Sequence, residues 1–100
     1  MTYANPDQRQ ELITGLRALA SFLEDNPEVP APSFTDVLVF PPFSSDAEKR
    51  QEIDVIASRI GSGTETSRER HHYTASRTFG PVEYRAVAIP ADEIREQRGK

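Results

Sequence analysis

Apolar side chains recur near the start of the chain at Leu12, Leu16, Leu19 and Leu23, widened by Ile13 and Ala20. Arg9, Glu11, Arg17 and Glu24 fall on the other faces. This three-and-four spacing predicts an amphipathic helix. Asn5 is placed to cap it, and Pro6 suits the first turn, where a missing N–H costs nothing. Asn26-Pro27 ends it, because the residue before proline resists helical geometry. Gly15 lies inside the helix at a cost of about 1 kcal/mol against alanine. It either permits close packing or is neutral, and the sequence favours the neutral reading.

Residues 28–33 carry two prolines in six positions and read as a stiff, extended spacer. Thr35–Phe40 predicts a strand whose last four residues are apolar on both faces, the pattern of an interior strand covered on both sides. Pro41-Pro42 stops it. Ser45 and Glu48 form a capping-box pair, and Ile53, Ile56, Ala57 and Ile60 follow at helical spacing. A second amphipathic helix over 46–60 is expected, with Gly61 just past its end. Thr64-Glu65-Thr66 is a candidate short strand.

His71–Phe79 and Val82–Ile89 flank Gly80-Pro81 and predict a hairpin. A two-residue turn pairs Phe79 with Val82, Arg77 with Tyr84, Ala75 with Ala86 and Tyr73 with Ala88. That largely apolar face is expected to meet the helices, with Leu16, Leu19, Leu23, Ile53 and Phe79 in one core. The opposite face carries His72, Thr74, Ser76 and Thr78 beside Glu83, Arg85, Val87 and Ile89. The order α-β-α-(β)-β-β implies an α+β fold: a small mixed sheet of three or four strands with two helices on one face, a two-layer sandwich. The first strand is expected to cross over through the second helix to a parallel neighbour. Residues 1–90 read as one domain and 91–100 as a polar, flexible tail.

Apolar residues are 36% of the 100-residue chain, but their clustering into periodic blocks argues against general disorder. With no cysteine, disulfides, thiolate metal sites and cysteine nucleophiles are excluded. No apolar run approaches the roughly 18 residues of a membrane helix, and the first residues do not form a signal peptide. A soluble, cytoplasmic protein without membrane contact is expected. The formal net charge of −4 disfavours non-specific contact with nucleic acid. The basic residues are nonetheless uneven, four in the first half and eight in the second.

His71-His72-Tyr73 attracts attention, but adjacent strand residues point to opposite faces and no third histidine exists. No metal and no cofactor are expected. The serines have no G-x-S-x-G setting. Gly61-Ser62-Gly63-Thr64 follows a helix rather than joining a strand to one, so it is not a phosphate loop. Arg68, Arg70, Arg77 and Arg85, with His71, His72, Tyr73 and Tyr84, form the best charged surface, since guanidinium and aromatic groups suit phosphate contact and base stacking. Pairing with Glu65, Glu69 and Glu83 is the simpler reading of the same arginines.

Leu16–Glu24 running into Asn26-Pro27-Glu28-Val29-Pro30, and the closing segment 79–90 (FGPVEYRAVAIP), resemble a group of small proteins from high-GC actinobacteria and their phages. The resemblance covers most of residues 9–90. It implies an actinobacterial or mobile-element setting and transfers neither an activity nor site residues. Without a catalytic set, and with a sheet too wide for its helices, the chain reads as a non-enzymatic protein-interaction module. A protein partner or a second copy of the chain is expected. The candidate interface comprises Val87, Ile89, Arg77, Arg85, His72 and Tyr84. The alternative is a nucleic-acid-binding domain using the arginine-aromatic hairpin, and the third reading is a small enzyme.

Overall fold

A computed structural model describes residues 3–67 and 71–91. Arg68, Arg70 and the segment 92–100 lie outside the described residues. The chain divides into two compact units, Tyr3–Ser33 and a second that begins at Phe34.

The first unit is built on helix α1, Pro6–Asp25. Asn5 caps it reciprocally: its side chain accepts from the Gln8 N–H at 2.8 Å, and the Gln8 side chain accepts from the Asn5 N–H at 3.0 Å. Asn26 closes the other end, donating from both its backbone and its side chain to the Phe22 carbonyl. No residue of α1 is buried. Leu19, expected in a core, is 54% exposed, and Leu16 is exposed at 46%. Periodicity identifies which face of a helix is apolar; it does not say what covers that face.

The second unit holds a four-stranded mixed sheet and one helix, completing the α+β architecture of a small two-layer sandwich. Its elements are β1 (Thr35–Val39), α2 (Asp46–Ile60), β2 (Glu65–Thr66), β3 (Tyr73–Phe79) and β4 (Val82–Ala88). The strand order is β1-β4-β3-β2, with β1 parallel to β4 and the other pairs antiparallel. The hairpin has the expected register, Arg77 opposite Tyr84 and Ala75 opposite Ala86. Gly80 takes a positive φ of 61° at the first turn position, and proline supplies the negative φ of the second.

Two expectations about β1 are corrected. It is an edge strand rather than an interior one, and Leu38 on its outer face is 50% exposed. Its parallel neighbour is β4, the last strand, whereas α2 leads to β2 at the opposite edge. The tight β3–β4 hairpin has taken the middle of the sheet, where both of its strands gain neighbours. Thr35 N–H donates to the Pro81 carbonyl at 3.1 Å and fixes the start of β1 to the hairpin turn.

Ser45 caps α2 by accepting from the Glu48 N–H at 3.1 Å, while its hydroxyl donates to the Glu48 carboxylate. Gly61 ends the helix in the left-handed region at φ 69°. α2 packs on β3 and β4, burying Ile53 and Ala57 against Ala75, Ala86 and Ala88, with Ile56, Ile60 and Tyr73 half-buried around them. Three alanines make a flat floor that lets the helix sit close to the sheet. Ile53 is the one large side chain fully buried among the described residues. Phe79, expected in this core, is 57% exposed. It lies at the turn end of the hairpin, while the buried alanines lie toward the other end.

Candidate functional site

The strand register separates the expected interface residues. Arg77 and Tyr84 are cross-strand partners on the face that carries Ala75 and Ala86, the face under α2. Arg85 and Val87 point to the opposite face with Thr74 and Ser76. His72 and Ile89 lie just beyond the ends of β3 and β4. The six residues therefore do not form one surface.

Their surroundings differ as well. Arg77 is exposed and folds back along its own strand, its guanidinium 5.1 Å from the centroid of the Phe79 ring. Arg85 pairs with Glu83, two positions away on the same face of β4. Val87 is buried at 8% exposure, so the chain already covers it. Ile89 is half-buried, and its carbonyl accepts from the Lys49 ammonium at 3.0 Å. His72 and Tyr84 are half-buried, and the His72 carbonyl accepts from the Ser67 N–H at 2.8 Å.

Lys49 is a feature the sequence reading missed. It stands four residues before Ile53, on the apolar face of α2, and is 8% exposed. Its ammonium lies 4.0 Å from the Asp46 carboxylate, which also accepts from the Ala91 N–H at 3.0 Å. Together these contacts fasten the chain beyond β4 to the first turn of α2. An open recess of about 150 Å³ lies there, lined by Asp46, Lys49, Arg50, His71, Ile89 and Pro90 among others. Its cations are occupied: Lys49 by the Ile89 carbonyl, and Arg50 by the Tyr73 ring, whose centroid is 4.9 Å from the guanidinium. Tyr73 in turn donates its hydroxyl to Asp54 and shares a hydrogen bond with Thr64. These pairings make the recess a structural clasp. Among the described residues no group of three histidine, aspartate or glutamate side chains is placed to hold a metal ion. No helix among them is long and apolar enough to cross a membrane.

Several exposed apolar side chains share α1. Leu12, Leu16, Leu19 and Phe22 are each between 46% and 54% exposed, one above the next along the helix. The helical spacing of these leucines is visible in the sequence, and their exposure is not. Comparison with protein-family models, with curated proteins and with solved structures finds no match to this chain.

Proposed function

We propose that this protein is a non-enzymatic protein-interaction module whose binding surface is the apolar stripe of α1. The observation that carries this reading is the exposure of Leu12, Leu16, Leu19 and Phe22 on a helix with no buried residue. In proteins most helical stability comes from packing an apolar face rather than from propensity, and α1 has no buried residue. Full burial of one such side chain contributes roughly 1.5–3 kcal/mol. A partner surface over the stripe therefore supplies what α1 lacks within its own unit.

The arginines support protein contact over nucleic-acid contact. Arg77 and Arg85 lie on opposite faces of the sheet, and Arg85 is paired with Glu83. The net charge of −4 adds to this. On this reading the protein is a cytoplasmic accessory factor that works by binding.

A photo-activatable residue placed at Leu19 and, separately, at Ser21 on the polar side of α1 tests the reading in cells. Crosslinking to protein at position 19 and little at position 21 is the expected result. Equal or absent crosslinking at both positions overturns it.

A further inference from the structure

The apolar stripe of α1 is more regular than a generic sticky face. Leu12, Leu16, Leu19 and Leu23 follow one another at spacings of four, three and four. That is the seam of a short helix pair, in which side chains of one helix insert between those of another. Gly15 and Phe22 border the seam on one flank, and Ile13 and Ala20 on the other.

Gly15 supplies the second observation. It costs about 1 kcal/mol of helix stability against alanine. Yet a Cβ built there meets nothing within 4 Å, so the chain itself gives the glycine no reason. A reason appears when a second helix approaches.

Resting on the reading of this stripe as an interface, we propose that its occupant is α1 of a second copy of this chain, packed antiparallel. In that arrangement Leu12 meets Leu23 and Leu16 meets Leu19 across the two-fold axis, each contact occurring twice. Like flanks come together, so Phe22 of one copy sits beside Gly15 of the other, and Ile13 beside Ala20. Large side chains then oppose small ones on both sides.

Charge selects the same direction. Arg9 continues the seam one turn before Leu12. The last turn of α1 holds Glu24 and ends in Asp25, and it contains no basic residue. The negative end of the helix dipole therefore has no balancing cation in its own last turn. Antiparallel packing brings Arg9 of each copy to the acidic end of the other. Parallel packing would set Arg9 against Arg9 and acidic end against acidic end.

The purified full chain is the material for the test, because its lack of cysteine allows clean labelling. Light scattering at several concentrations should show a dimer that Leu16→Glu abolishes. Gly15→Leu, which enlarges the apolar face, should nonetheless raise the dimer dissociation constant about tenfold by overfilling the Phe22 seat. Spin labels on Gln10→Cys should lie about 22 Å apart along the helix axis, fifteen residues of rise, rather than side by side. A wild-type chain that stays monomeric at several hundred micromolar overturns self-pairing. So does an unweakened Gly15→Leu dimer, or labels lying side by side. Crosslinking at position 19 separates the two conclusions. Crosslinks to a different protein with a monomeric chain remove the second copy and keep the interface, and no crosslink at all removes both.

Discussion

The ammonium of Lys49 donates to the carbonyl oxygen of Ile89 at 3.0 Å, joining the first turn of α2 to the chain just beyond β4. Lys49 stands on the same face of α2 as Ile53, and its stem is covered while its charge is held at the edge of the core. Replacing Lys49 with methionine keeps the apolar stem and removes the donor. The loss should be about 1–3 kcal/mol, the usual cost of leaving a part-buried acceptor unpaired. Urea unfolding monitored by circular dichroism measures it, and an unchanged midpoint would count against the clasp.

Ile53 is the side chain on which the α2–sheet core depends. Truncation to alanine should destabilise the unit by about 2–5 kcal/mol, since the alanine floor offers little to fill the space. Leu19→Ala should leave the unfolding of the same unit within about 0.5 kcal/mol of wild type, as expected of an exposed position. Backbone NMR signals from Ala75 and Ala86 follow that unit specifically. A large loss on Leu19→Ala would place Leu19 in the core after all.

The contrast between Ile53 and Leu19 marks how far the sequence is legible. Both lie on apolar stripes at helical spacing, and both helices begin and end where Asn5, Ser45, Asn26 and Gly61 imply. The hairpin register followed from Gly80-Pro81 and the alternation on either side. Local chemistry determines such features. Covering a stripe is a long-range event, and nothing within α1 distinguishes a leucine bound for the core from one bound for a partner. For the same reason Val37–Phe40 suggested an interior strand although β1 is an edge. The buried lysine was visible in principle, since Lys49 lies one turn ahead of Ile53, but a charged residue in a helix is ordinarily read as solvated.

Gly80 should be hard to replace for a backbone reason alone. Its φ of 61° is unfavourable for a residue with a side chain, while a Cβ there meets nothing within 4 Å. Gly80→Ala should therefore destabilise the hairpin by about 1 kcal/mol through strain without a clash. Thermal unfolding reports this, and a neutral or stabilising effect would mean that the turn relaxes to another conformation.

The arginines of the hairpin lead to a negative expectation with a clear readout. Fluorescence polarisation with labelled single- and double-stranded oligonucleotides should detect no binding at physiological salt. At low salt, any residual binding should fall steeply as salt is added, the mark of contact with phosphates alone. Sub-micromolar affinity that disappears in Arg85→Ala would restore the nucleic-acid reading, because Arg85 would then have to leave Glu83 for a phosphate.

Hydrogen exchange of the backbone amides, read element by element, compares the wild-type chain at several hundred micromolar with its Leu16→Glu variant. Covering the stripe protects the amides of Pro6–Asp25, so the variant should exchange there at least about tenfold faster, while Asp46–Ile60 and the β3–β4 hairpin keep wild-type rates. Equal α1 exchange in the two proteins would contradict it, whether both are protected or both open, because α1 would then owe nothing to a surface packed on Leu16.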